Sequence, residues 1–321
     1  MSQEILVRAD HLTKEYKAKQ GTVQALTDVS LTIYRGETLA LVGESGCGKS
    51  TLGRVLLQSV RQDSGDVFFH GQNLSHLKKE ELRQLRQKMQ MIFQDPYASL
   101  DPRMNVETII QEPLKAFGLS KSERNARVQE LIRQTGIPEE YLKRYPHQFS
   151  GGQRQRIGIA RALALKPEFV VCDEPVSALD VSIQAQILNL LEQLQKELNL
   201  TYLFVSHDLS VVNHIADRVC VMFLGQICEI GPTEEIFFHP QHPYTKLLLD
   251  ATPVIGNRLE VAEEENVDAI EIPSSMNPPS GCRFHTRCPY AAAVCKEVHP
   301  DLTGHTDHLC ACHMEKGGNC R

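Results

Sequence analysis

No stretch of the 321-residue chain approaches the roughly 18 uncharged apolar residues that a membrane-spanning helix needs. The strongest apolar runs, 169–172 and 219–224, are strand-sized. The chain is therefore not expected to cross a bilayer by itself. Its first residues, Met1-Ser2-Gln3-Glu4, lack the basic and apolar regions of a secretory signal, which predicts retention in the cytosol. A surplus of positive charge is missing too: 34 Lys and Arg stand against 40 Asp and Glu, a formal net charge of -6. That balance gives no support to a surface for a phosphate backbone, so nucleic acid is not an expected partner. There is no internal repeat. What is present is ordinary for a globular protein, with 41% hydrophobic and 23% charged residues, and this excludes disorder as the main state. At about 150 residues per domain, the length predicts one large domain with an appendage, or two domains.

The pattern along the chain alternates short β-rich segments with helical ones, the signature of an α/β layered fold. Strands are predicted over 26–33, 38–42, 66–69, 89–93, 169–172, 202–206, 219–223 and 226–230. Helices are predicted over 49–57, 153–165 and 181–199, the last with Ile187, Leu190, Leu191, Leu194 and Leu198 at helical spacing. Residues 106–145 read as helical and strand-free (106–117, 122–134, 139–145), which predicts a helical subdomain inserted into the α/β body. Beyond residue 231, Pro232, Pro240, Pro243 and Pro253 loosen the pattern. An acidic run at 257–268 reads as a solvated linker, and a Pro-rich bridge at 273–279 leads to a cysteine-rich tail.

Gly43-Glu44-Ser45-Gly46-Cys47-Gly48-Lys49-Ser50 fits G-x-x-x-x-G-K-S/T, directly after an apolar β-run and before a helical pattern, the context the motif requires. The glycines let successive N–H groups point inward, and the following helix directs its positive dipole end at the same spot. A nucleotide phosphate chain is expected there, with Lys49 on the β- and γ-phosphates and Ser50 on Mg²⁺. Residues Gly43 to Ser50, with Thr51, form the candidate phosphate-binding set. Cys47 contributes its backbone more than its thiol. Downstream, an apolar run ends in Asp173 and Glu174. A buried parallel strand delivering acids at its C-terminal edge should set them beside the phosphate loop of a neighbouring strand. Asp173 is suited to hold Mg²⁺ and Glu174 to act as general base.

Ser150-Gly151-Gly152-Gln153, after Phe149 and before Arg154-Gln155-Arg156, resembles the signature of ATP-binding-cassette (ABC) ATPases. Gln94 in Phe93-Gln94-Asp95-Pro96 resembles that family's Q-loop, Ser177-Ala178-Leu179-Asp180 its D-loop, and His207 its switch histidine. Tyr16, upstream of the first predicted strand, is placed like the aromatic that stacks on adenine. The resemblance covers about residues 5–254. It implies a P-loop ATPase with a RecA-like core, an antiparallel β subdomain and a helical subdomain at about 97–160, in a body spanning 1–254. It also implies ATP and Mg²⁺ as ligands, with Gln94 joining Ser50 and Asp173 at the metal and joining Glu174 and His207 in catalysis. A serine and glycines at a helix N-terminus form a second anion site with no phosphate of its own. Two chains would pair head to tail, each signature, with Asp180 nearby, completing the other's site.

Only 50–150 separates phosphate loop from signature, which leaves no room for the arms of ABC proteins that act on DNA. Three finer stretches resemble the oligopeptide/dipeptide importers: Gln94-Asp95-Pro96-Tyr97-Ala98-Ser99-Leu100-Asp101-Pro102, Glu174-Pro175-Val176-Ser177-Ala178-Leu179-Asp180-Val181-Ser182 and Pro240-Gln241-His242-Pro243-Tyr244-Thr245. The resemblance implies a second, distinct ATPase chain, two membrane permease subunits, an external peptide-binding protein, and residence on the cytoplasmic face of the membrane. Nickel or glutathione as cargo, and a soluble ABC ATPase acting on nucleic acid, are the alternatives.

Ten cysteines in a cytosolic chain, six of them after residue 281, read as metal ligands more readily than as disulfides. Cys282, Cys288 and Cys295, with Pro289 after the second, can wrap a soft metal centre, although the spacing matches neither common zinc sites nor the standard ferredoxin run. The tail at 255–321 resembles that of the peptide branch, some members of which hold a 4Fe–4S cluster there. That implies Cys282, Cys288, Cys295 and Cys312 as ligands, with zinc or free thiols as alternatives and Cys310 competing for the fourth place.

Overall fold

The computed structural model describes residues 4–19, 21–251, 274–305 and 307–314. The acidic run at 257–268 lies outside them. Two long strands, β1 (Ile5–Ala18) and β2 (Gly21–Tyr34), precede β3 (Thr38–Val42) and α1 (Lys49–Leu56). β4 (Ser64–Phe69), β5 (Gln72–Asn73), α2 (Lys79–Leu85) and β6 (Met89–Ile92) follow. Three helices, α3 (Val106–Ala116), α4 (Lys121–Thr135) and α5 (Gly151–Ala162), separate β6 from β7 (Phe169–Asp173). Next come α6 (Val181–Leu198), β8 (Thr201–Val205), α7 (Leu209–Ile215), β9 (Arg218–Phe223) and β10 (Gln226–Pro232). After α8 (Thr233–Phe238) and α9 (Pro243–Asp250), the C-terminal segment carries α10 (Ala293–Glu297), β11 (Thr303–His305) and β12 (His308–Cys310).

Eight strands form one sheet in the order β11-β12-β10-β9-β3-β8-β7-β6, and four form another, β2-β1-β4-β5. The smaller sheet is antiparallel. In the larger, β6, β7, β8, β3 and β9 run parallel, while β10 and β12 add antiparallel. The central strands β3, β7 and β8 are short and every one of their residues is buried, as expected of a parallel sheet covered on both faces. α1 is clasped between the sheets, its Leu52, Val55 and Leu56 packing with Leu6, Ile33 and Phe69 on one side and Val171 and Leu203 on the other. On the opposite face, Ile187, Leu191 and Leu194 of α6 share a core with Val170, Phe204 and the helical block.

Several elements differ from the sequence expectation. β1 was not foreseen, and Tyr16 lies on it rather than upstream of the first strand. Its pairing with β2 slips register at four points, so the strand shows no clean alternation of apolar and polar residues. The helix expected over 139–145 is replaced by separate 3₁₀ turns at Glu139–Tyr141 and Pro146–Gln148, each beginning at a proline or just after one. The short helices α7 to α10 and the β11–β12 hairpin are additional. β7 is not the sheet neighbour of β3, because β8 lies between them.

Candidate functional site

β3 runs into the loop 43–48, and α1 starts directly after it. At Gly43 (φ 147°) a Cβ would stand 2.1 Å from the Met222 carbonyl oxygen, and at Gly48 (φ 106°) 2.3 Å from that of Ala25. No other residue fits this path, since an L side chain would meet main chain at both points. The Gly225 N–H donates to the Cys47 carbonyl at 2.9 Å and tethers the loop to the turn after β9. Cys47 acts there through its backbone; burial pushes its thiol up from the ordinary cysteine range. Lys49 is buried, and its ammonium donates to the carbonyls of Gly43 (2.7 Å) and Glu44 (2.9 Å). Ser45 and Gly46 are exposed, and Thr51 is the third residue of α1.

β8 separates β3 from β7, yet α1 spans the gap: Ser50 Oγ donates to Asp173 Oδ1 at 2.8 Å. Burial raises the Asp173 carboxyl above its usual range, and the Ser50 hydrogen bond opposes the rise. Glu174 adopts φ 45°, a left-handed conformation in a non-glycine residue, fixed by its N–H donating to Val205 O at 3.0 Å. Its Oε2 accepts from Gln94 Nε2 at 2.9 Å and lies 3.2 Å from His207 Nδ1. Two bonded groups, Ser50–Asp173 and Gln94–Glu174–His207, thus meet at the successive residues Asp173 and Glu174, and Lys49 precedes Ser50 on α1. Tyr16 is 38% exposed on β1, and the Lys14 ammonium stands 5.5 Å from its ring centre.

Ser150 caps α5. Its hydroxyl accepts the Gln153 N–H at 3.4 Å, and Gln153 Oε1 accepts the Ser150 N–H at 3.1 Å, a reciprocal box that presents Gly151 and Gly152 on the first turn. An adjoining cavity of about 380 Å³ is bordered by Ser150, Gly152 and Gln153 and by no residue of the phosphate loop. Asp180, at the start of α6, is exposed, and Val181 beside it is 81% exposed.

Cys282, Cys288, Cys295 and Cys312 border one small pocket with His285 and His313. Cys310 is not at its rim; it stands opposite Glu229 in the β10–β12 ladder. Among the described residues, no group of three or more His, Cys, Asp and Glu side chains is set to hold a metal ion. Contacts that sequence reading missed join α9 and this tail to the phosphate loop. Arg287 Nη1 donates to Glu44 Oε1 at 2.7 Å, and the Tyr244 hydroxyl accepts the Glu44 N–H at 2.9 Å. No local signal announces a partnership across 243 residues.

A glycine loop between a buried parallel strand and a helix, closed by a lysine and faced by strand-end acids, defines a P-loop ATPase. The comparisons narrow that class. Residues 26–177 match the ABC transporter family model, and residues 228–295 match that of the oligopeptide/dipeptide transporter C-terminal region. The chain is 52% identical over 302 residues to the oligopeptide transport ATP-binding protein AppF of Bacillus subtilis, covering 93% of this chain and 92% of that one. It is 50% identical over 293 residues to OppF of Salmonella typhimurium, an oligopeptide transport ATP-binding protein, covering 91% and 88%. Among solved structures, it resembles the ATP-binding cassette MJ0796 in a dimeric post-hydrolysis state bound to ADP and Pi, with 30% identity and a TM-score of 0.65, over 71% of this chain and 98% of that one. The chain belongs to the ABC ATPases, in the oligopeptide/dipeptide transporter branch.

Proposed function

We propose that this chain hydrolyses ATP in a pair of cassettes that powers import of oligopeptides or dipeptides, with a distinct paralogue as the second cassette and two membrane permeases as docking partners. The observation that carries the reading is the Gln94–Glu174–His207 cluster held beside the Ser50–Asp173 pair. In this reading Lys49 and the loop N–H groups bind the triphosphate, and Glu174 takes a proton from the attacking water. Ser50, Asp173 and Gln94 would hold Mg²⁺, which supplies charge neutralisation at the β- and γ-oxygens. His207 steadies the γ-phosphate charge, Tyr16 packs on the adenine, and Ser150 to Gln153, with Asp180, serve the nucleotide of the facing cassette.

A groove of about 980 Å³ between the large sheet and the helical block is lined by Phe93, Gln94, Asp95, Glu112, Phe117 and Arg161. It suits a helix of a membrane subunit, and Gln94 borders it while also bonding Glu174. Among the described residues no helix is long and apolar enough to cross a membrane. As an ATPase subunit docked on membrane permeases, the chain in this reading sits peripherally on the cytoplasmic face. Reconstitution with the membrane subunits in liposomes tests the function: peptide delivered by the external binding protein should stimulate ATPase activity, and a rate indifferent to peptide overturns the cargo assignment.

We propose Cys282, Cys288, Cys295 and Cys312, which border one pocket, as a soft-metal ligand set, a 4Fe–4S cluster first and zinc second; the thiols would have to draw together from their present places to share a metal centre. When bound, the cluster would cross-link the segments around α10 and β12 through thiolates. Anaerobic purification with iron and sulfide assay tests this; a colourless protein with one zinc refutes the cluster.

A further inference from the structure

Glu44 is the one acidic side chain within the phosphate loop, and the C-terminal tail takes hold of it. The Arg287–Glu44 pair is mostly shielded from solvent, the side chains being 13% and 18% exposed. Glu44 Oε2 is buried with no hydrogen-bond partner among the described residues, so Arg287 supplies the side-chain charge partner that this carboxylate has in the structure. Its backbone is fixed at both ends: the N–H bonds to Tyr244, and the carbonyl accepts from Lys49. Behind the pair lies an aromatic cluster. Tyr244 and Phe284 are fully buried, their ring centres lie 4.7 and 5.5 Å from that of Phe223, and the Arg287 guanidinium stands 5.8 Å from both phenylalanine rings. Arg283, also in the tail, donates to the Leu224 carbonyl and to Gln24 Oε1 (2.6 Å), next to the Gly225 that tethers Cys47.

An unpaired carboxylate in a loop that must gather a triphosphate would oppose binding, because like charges a few ångströms apart repel strongly where water is scarce. We propose that Arg287 is a positioning residue for nucleotide binding: by pairing with Glu44 it neutralises that carboxylate and fixes the loop carbonyl that Lys49 grips. The proposal rests on the nucleotide reading of the loop given above.

The test is titration of the full-length chain with MgADP by calorimetry, alongside thermal melts without nucleotide to identify folded variants. Arg287→Ala should weaken MgADP binding about five- to tenfold. Arg287→Met, which keeps the packing on Phe223 and Phe284 and loses only the charge, should weaken it as much, and stands in if the alanine variant does not fold. Arg287→Lys should retain most of the affinity. In a Glu44→Gln background the loss from Arg287→Met should shrink to less than about twofold, because the carboxylate it answers is gone. Unchanged affinity in Arg287→Met, or an equal loss in both backgrounds, overturns the proposal. Lys49→Ala separates the two readings. If it binds MgADP like the wild type, the nucleotide site itself is misassigned; if it loses binding while Arg287→Met does not, only the arginine's role fails.

Discussion

The Gln94 side-chain amide donates to Glu174 Oε2 across 2.9 Å, joining the residue that borders the groove beside the helical block to the carboxylate just past β7. His207 approaches the same oxygen at 3.2 Å. Both partners share Oε2, which leaves the other carboxylate oxygen to meet an attacking water in the proposed reaction. Glu174→Gln keeps an acceptor for Gln94 but removes the carboxylate proposed as the base. ATPase turnover of the assembled complex should fall by about 10²–10⁴ while nucleotide affinity stays within a factor of about three. Unchanged steady-state turnover would show that Glu174 is not the base.

Gly48 opens α1 at φ 106°, with the Ala25 carbonyl where a side chain would begin. Gly48→Ala has to move main chain, a strain of about 1–3 kcal/mol placed on the nucleotide loop. MgADP affinity is expected to drop about tenfold or more, with a lowered melting temperature. A calorimetric titration matching the wild type would mean that the loop relaxes freely.

Phe284, from the tail, is 1% exposed and fills the space between Phe223, Tyr244 and His242. Phe284→Ala should cost about 3–5 kcal/mol in urea denaturation if tail and body unfold together. A separate early transition carrying the whole loss would show instead that the tail melts as its own unit.

Glu168 ties three elements together, accepting from Arg35 at 3.0 Å, Lys88 at 2.9 Å and His70 at 2.9 Å. Partial burial alone would raise its carboxyl, but these partners outweigh it and hold the group at about 2 instead of 4.5. A depressed acid contributes stability above its unfolded value and loses it as pH falls towards the folded one. Glu168→Gln should therefore destabilise by about 1–2 kcal/mol at pH 7, discounted for its partial exposure. The gap to the wild type should close as urea midpoints are followed from pH 4.5 down towards 2. A gap that stays constant over that range would assign the loss to packing.

What could be read from the sequence was whatever is decided locally. β3, the loop and α1 are contiguous, and an apolar run, three glycines and a lysine specify their order. The cap on α5 is equally local, because Ser150 and Gln153 satisfy each other three residues apart. Sheet order was not readable in the same way. Nothing in the apolar run of β7 reveals that β8 would insert between it and β3, and the Ser50–Asp173 bond depends on where α1 lands across that gap. β1 escaped notice because its irregular register spoils the alternation on which strand prediction rests. Arg287 and Tyr244 escaped for another reason. An ion pair or a hydroxyl contact between the two ends of a chain leaves no periodic trace in either segment.

The grip of Arg287 and Tyr244 on Glu44 has a practical corollary. A version of the protein trimmed after the last conventional cassette helix, as is often made to simplify crystallisation or enzymology, would carry an intact glycine loop that keeps its Tyr244 and Gly225 contacts and loses that of Arg287. Binding constants measured on such a fragment would describe a loosened relative of the transporter's motor, and the discrepancy from the full-length chain would itself measure the tail's contribution.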